Sequence, residues 1–138
     1  MIFFVELDFN GAEIRVLLGL LENPQPSEDI HKWNVENIFN NELDRPSAKE
    51  AFFAWLYGSH SPKLAKYVNE LNKNYDKKTL VEKYWDGEYI RTPFARDIKS
   101  DRHHALNYLV QSTAADLALE QAVKIRELLR GRKTKISF

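Results

Sequence analysis

A chain of 138 residues is long enough for one hydrophobic core and short for two ordinary domains. Hydrophobic residues make up 43%, with three tryptophans, six tyrosines and eight phenylalanines, which argues for a packed globule; the absence of cysteine excludes a disulfide framework and a thiolate metal site. The net charge of zero hides an asymmetry: residues 1–44 hold nine acids and two bases, residues 45–138 eleven acids and eighteen bases, about −7 against +7. An acidic first part suits cations and a basic remainder suits phosphates, with ordinary surface charge as the plain alternative.

Met1 to Phe9 reads as a strand covered on both faces, because Ile2, Phe3, Phe4, Val5, Leu7 and Phe9 leave few polar positions. Ile2–Val5 is too short to cross a membrane and is followed at once by Glu6 and Asp8. It has no basic start or cleavage region, so an intracellular protein without a membrane partner is expected. Asp8 lies near the strand end, before the Asn10-Gly11 turn and a helix over Ala12–Leu21 with Ile14, Leu17, Leu18 and Leu21 on one face. A carboxylate delivered by a strand into such a turn is either a metal ligand or a cap.

After a loop with Pro24 and Pro26, Asp29 caps a predicted helix from Ile30 to about Asn40, with His31 in its first turn. The next helix spans Arg45 to Tyr57. Asp44 caps it, Pro46 sits in its first turn and Gly58 stops it, although Ser47 with Glu50 also fits a capping box. Arg45, Lys49, Phe53 and Tyr57 recur every fourth residue and so share one face, while Ala48, Ala51, Phe52, Trp55 and Leu56 supply an apolar surface. Taken alone, this is an amphipathic core helix with solvated cations.

Ser61-Pro62 launches a helix to about Leu71, and Asn72–Lys78 is polar and expected to be exposed. Thr79–Trp85 reads as a short helix or an irregular piece, Asp86-Gly87 as a turn and Glu88–Phe94, closed by Pro93, as a small hairpin arm. The longest periodic segment runs from Asp101 to Arg130, its stripe including Leu106, Leu109, Val110, Leu117, Ala122, Ile125 and Leu128. His103, Asn107 and Gln111 form a polar line beside that stripe, and the adjacent His103 and His104 diverge on a helix too widely for a metal pair. The chain closes on a basic segment that turns strand-like at Ile136–Phe138.

Four blocks in order resemble family A DNA polymerases, the DNA polymerase I type. Asp8-Phe-Asn-Gly-Ala-Glu-Ile-Arg15 resembles the first palm motif, and Asp29-Ile-His31 the Asp-Ile-His of the fingers. Arg45 to Gly58 looks like the O helix, and Asn107-Tyr-Leu-Val-Gln111-Ser-Thr-Ala-Ala-Asp116 is similar to the later Asn-x-x-x-Gln-Gly-Thr-Ala-Ala-Asp segment. The resemblance implies a mainly helical α+β fold: the fingers subdomain of a family A polymerase with a small palm-derived β piece at the two termini. Residues 1–21 would be the palm strand and the start of the following helix. Residues 22–98 would be the fingers, with the O-like helix 45–57 and a small hairpin, and 99–138 a long helix returning to a palm strand. First and last strands are expected to pair, and their exposed edge to favour dimerisation in isolation.

The same resemblance implies DNA-templated DNA synthesis, with dNTPs, primer–template DNA and the rest of the polymerase as partners, in the cytoplasm of a bacterial or phage-infected cell. Asp8 would be one of two carboxylates holding catalytic Mg2+ ions. Arg45, Lys49 and His31 would contact the triphosphate, the two cations offsetting developing charge. Phe53 would pack on the sugar, Tyr57 would stack beside the templating position, and Glu13 would be the steric gate. Arg15, Asn107 and Gln111 would contact DNA.

The departures are specific. Asn10-Gly11 replaces Ser-Gln, Ser112 replaces a glycine, and His103 stands where many members carry arginine. The interval between the first motif and the O-like helix is shorter than in the family. The His-Asp-Glu motif bearing the second metal-binding aspartate does not occur in this sequence. Primer extension by this chain alone is therefore not expected. A non-catalytic nucleotide- or DNA-binding module and a single-subunit RNA polymerase are the competing readings; a glutamate gate at Glu13 speaks against the second.

Overall fold

Gly11 opens the first helix because nothing larger fits there: its φ is +64°, and a Cβ would lie 2.6 Å from Cγ2 of Ile30. The structure, a computed structural model, describes residues 4–137. It is mainly helical with one small sheet, in the order α1 (Ala12–Leu20), α2 (Ile30–Asn37), α3 (Arg45–Leu56), a 3-10 segment (Pro62–Tyr67), α4 (Val68–Asn74), α5 (Lys77–Tyr84), β1 (Tyr89–Arg91), β2 (Asp97–Lys99) and α6 (Arg102–Leu128). The chain divides into two compact units, Met1–Leu80 and Val81–Phe138.

In the first unit the helices pack through the faces their periodicity marks. Ile14, Leu17 and Leu18 of α1, Ile30 of α2 and Ala48, Phe52, Trp55 and Leu56 of α3 are buried. Asp44 caps α3 by accepting the Ser47 N–H at 2.9 Å, so the alternative start at Ser47 is not the one used. Phe52 meets Tyr75 edge-on with ring centroids 5.0 Å apart, and Trp55 lies 6.2 Å from Tyr75. The Tyr75 hydroxyl donates to Oδ1 of buried Asn34 at 2.5 Å, and burial drives its pKa up. Lys77 donates to the Trp55 carbonyl at 2.8 Å and lies over its ring, closing the end of α3.

In the second unit β1 and β2 form an antiparallel hairpin with Ile90 opposite Ile98, and α6 packs against β1. Asp101 caps α6 by accepting the His104 N–H. Trp85 anchors the base of the hairpin, bridging to Ile90 and donating its indole N–H to the Ser100 carbonyl at 2.9 Å.

Several expectations are corrected. Residues 4–9 form no strand; Phe4 is 94% and Val5 82% exposed, so the apolar run finds no sheet to enter. Its first three residues lie outside the described ones, as does Phe138. Residues 136–137 are likewise outside any strand, so among the described residues the terminal pieces do not pair. The expected helix to Asn40 stops at Asn37, because Asn40 and Asn41 take positive φ, a conformation asparagine tolerates. The helix expected from Pro62 is split into a 3-10 segment and α4. Asn72–Lys78 is not all exposed: Tyr75 within it is fully buried. The hairpin is longer than Glu88–Phe94 and takes its second strand from Asp97–Lys99. The stripe of α6 is buried at Leu106, Leu109 and Val110 but exposed at Leu117 and Leu128.

The Asn34–Tyr75 pair supports a prediction. Tyr75→Phe leaves the Asn34 carboxamide buried without its hydroxyl partner and should destabilise the first unit by about 1–3 kcal/mol. Urea unfolding followed by circular dichroism checks this; an unchanged midpoint would show that water satisfies the amide instead.

Candidate nucleotide-binding site

A line of α3 that runs out from beside its core residues carries Arg45, Lys49, Phe53 and Tyr57. Because Ala48, Phe52, Trp55 and Leu56 do the packing, these four are left outside the core: Arg45 and Lys49 are exposed, Phe53 is half-buried and Tyr57 is 38% exposed. The Phe53 and Tyr57 rings stack with centroids 6.0 Å apart and planes at 16°. The Tyr57 hydroxyl donates to Oε1 of Glu13, on the first turn of α1, at 2.8 Å. His31, on the first turn of α2, lies beside Phe53 with ring centroids 6.1 Å apart. Six residues singled out from three separate stretches of sequence, Glu13, His31, Arg45, Lys49, Phe53 and Tyr57, thus belong to one unit, five of them tied to a neighbour by these contacts or the ion pair below.

Asp29 makes the strongest polar contact here. It accepts Nε and Nη2 of Arg45 at 3.1 and 2.7 Å, and its Oδ1 also takes the Lys32 N–H at 2.9 Å to cap α2. The Arg45 guanidinium holds its carboxyl well below the usual carboxylate range, with the backbone cap adding to the effect. His31 is 3% exposed, and its Nδ1 has no hydrogen-bond partner. Burial, followed by the positive charge of Arg45, pushes the imidazole pKa down, so the ring is neutral at pH 7. Lys49 is exposed and forms no ion pair among the described residues.

The remaining sequence-identified residues sit elsewhere. Asp8 is exposed, and its Oδ1 accepts only the next residue's N–H, that of Phe9, at 2.8 Å. No three His, Asp or Glu side chains converge as metal ligands among the described residues, so Asp8 by itself does not fit a two-ion Mg2+ site. Arg15 is occupied as a loop clamp: its guanidinium donates to the carbonyls of Asn10, Pro26 and Glu28, each at 2.9 Å. Asn107 and Gln111 lie on α6 in the second unit; Gln111 is exposed, whereas Asn107 Oδ1 is buried without a partner. Asp116 of the same segment pairs with Arg96 at 2.9 Å.

Two participants were not evident from residue order. Asp29 reads as a helix cap, and nothing in its spacing announces that it also neutralises Arg45, sixteen positions later. Tyr75 lies in a polar stretch whose only signal is one aromatic among charged neighbours. In comparisons with known proteins, no family model matches the chain, and no curated protein or solved structure matches it.

The Asp29–Arg45 pair has a defined pH signature. The folded-state pKa of Asp29 lies below its unfolded value of about 3.9, so its contribution is complete above that value and is lost as the pH falls through the acid range. Asp29→Asn retains a capping side chain and removes the charge. It should cost roughly 1 kcal/mol or less at neutral pH, because the pair is partly exposed, and nothing at strongly acidic pH. Urea unfolding of both proteins at the two pH values checks this, and a pH-independent difference would mean that the ion pair contributes nothing.

Proposed function

We propose that this chain is the nucleotide-binding and nucleotide-selecting part of a family A-type DNA polymerase. The observation that carries this reading is the division of α3 into a buried face and a face presenting two cations followed by two stacked rings. That order suits a nucleoside triphosphate, in which a chain of negative charge leads to a sugar and a flat base. In this reading Arg45 and Lys49 meet phosphate oxygens, where charge-assisted hydrogen bonds are strong. Neutral His31 is buried beside Phe53 and backs that ring. Phe53 packs against the sugar, and Tyr57 provides a stacking surface for the pair being formed.

Glu13 supports the selective half of the proposal. Its carboxylate is held by the Tyr57 hydroxyl, which fixes a bulky charged group beside the aromatic end of the face. In this reading the carboxylate excludes the 2′-hydroxyl of a ribonucleotide by occupying the space it needs. Asp29 has a supporting role: paired with Arg45, it orients the guanidinium and caps the helix that carries His31.

Catalysis needs more than these residues. Two-metal phosphoryl transfer requires at least two carboxylates, and among the described residues no group of three or more His, Asp or Glu gathers as metal ligands. No catalytic step through Mg2+ is derived for this chain, and a second aspartate would have to come from outside these 138 residues. The second reading is a nucleotide- or DNA-binding module without chemistry of its own.

Titration of the pure chain with dATP, followed by calorimetry, tests the proposal. Saturable binding is expected. Lys49→Ala should weaken it about ten- to a hundredfold, the range for a lost hydrogen bond to a charged group. Absence of binding, or equal binding by both proteins, would refute the assignment of the α3 face. Glu13→Ala should narrow the preference for dATP over ATP without loss of dATP binding, and unchanged discrimination would remove Glu13 as the selecting group. Neither reading expects primer extension by the pure chain, and detectable Mg2+-dependent synthesis would overturn the statement that catalysis needs more than these residues.

A further inference from the structure

Two polar atoms of the first unit are sealed from solvent without a partner, and they lie one helical turn apart. His31 and Asn34 stand at positions i and i+3 of α2, so their side chains are neighbours on one face. His31 is 3% exposed and Asn34 0%. Nδ1 of His31 and Nδ2 of Asn34 both lack a hydrogen-bond partner among the described residues. A buried polar atom left alone costs free energy, and two of them on one face are most cheaply satisfied together.

The two atoms are complementary in one protonation pattern and clash in the other. The Asn34 carboxamide is oriented by Tyr75, whose hydroxyl donates to Oδ1 at 2.5 Å. Burial drives the Tyr75 pKa up, so the phenol keeps its proton and remains a donor. With Oδ1 engaged, the amide turns its two N–H bonds to the other side, where they need an acceptor. A neutral imidazole carries a proton on one ring nitrogen and a lone pair on the other. A proton on Nδ1 would bury two donors on one face. A proton on Nε2 leaves Nδ1 free to accept from Asn34, after a small side-chain rotation or through one buried water.

We propose that Tyr75 and Asn34 are positioning residues of the nucleotide site, holding His31 in the tautomer protonated at Nε2 and so fixing the ring that backs Phe53. The His31 and Phe53 rings lie side by side, with centroids 6.1 Å apart, and Phe53 is the residue assigned to the sugar. This role deepens the nucleotide-binding reading and rests on it. Burial and the charges of Arg45 and Lys49 outweigh Asp29 and keep the imidazole neutral, which is the form that has a tautomer to select. The path from Tyr75 to Phe53 thus joins the aromatic core to the exposed end of α3 through the buried side of α2.

Nitrogen-15 NMR of the full chain labelled at histidine tests this at neutral pH, with His31 assigned from the signals lost in His31→Gln. An unprotonated Nδ1 and a protonated Nε2 are expected, and a protonated Nδ1 in the parental chain would overturn the proposal without any variant. Asn34→Asp keeps the side-chain shape but replaces the amide donor with an acceptor, so Nδ1 should become protonated; an unchanged tautomer would show that Asn34 does not select it. Tyr75→Phe, with its fold verified by circular dichroism, should admit the Nδ1-protonated form and weaken dATP binding about two- to tenfold, the range for one lost neutral hydrogen bond. A single unchanged tautomer, or mixed tautomers with parental dATP binding, would refute the positioning role. A parental chain with the Nε2-protonated tautomer that binds no dATP would instead refute the α3 assignment, so the two failures are distinguishable.

Discussion

Phe52 has no exposed surface, and the first unit is arranged around that fact. Its ring is packed by Trp55 from its own helix and by Tyr75 from the segment after α4, while Tyr75 reaches on to Asn34 of α2. This one aromatic cluster binds α2, α3 and the α4–α5 region to a common centre. It also orients α3, because a helix that buries 48, 52, 55 and 56 turns 53 and 57 progressively away from the core, while 45 and 49 border the buried stripe. The exposed cation–aromatic face is thus a geometric consequence of the core, with no further interaction needed to present it.

Electrostatics refine what the packing presents. Asp29 does two jobs with one carboxylate, capping α2 and pairing with Arg45, and both place negative charge where a helix amino end and a guanidinium favour it. The neighbouring His31 is buried beside Phe53 and under the positive potential of Arg45, so it stays neutral where an exposed histidine would begin to titrate. The result is a site whose cations are graded: Arg45 is already oriented by a carboxylate, and Lys49 projects from an exposed position one helical turn later. A ligand with several negative oxygens is matched better by this pair than by either cation alone.

The second unit follows a different logic. Its hairpin is short, and pairing of three residues per strand would be marginal without support. That support comes from Ile90 beneath the hairpin, from the Trp85 indole at its base and from α6, which packs on β1. Near the other end, the Arg96–Asp116 pair ties the hairpin turn to α6. The outward face of β1 keeps Tyr89 and Arg91 exposed.

Much of this was legible in residue order wherever local rules decide. The caps at Asp29 and Asp44, the turn at Gly11, the amphipathic split of α3 and the length of α6 all follow from spacing and capping chemistry. What residue order could not decide depends on partners distant in the chain. Phe4, Val5 and Leu7 have the composition of a buried strand, but a strand needs a neighbour to bond to, and among the described residues none is supplied. The apolar stripe of α6 is continuous in sequence yet buried only where packing covers it, so Leu117 and Leu128 remain exposed. Tyr75 looked like part of a polar surface because its burial is created by Phe52, Trp55 and Asn34, none of them near it in sequence. The sequence by itself determined where α1, α3 and α6 form and which side chains share a face on them, since both depend on contacts within a few residues. Only the tertiary structure decided that Arg45 is paired with Asp29, that Glu13 is held by Tyr57 and that Arg15 serves as a loop clamp, because each of these depends on where a second segment comes to rest.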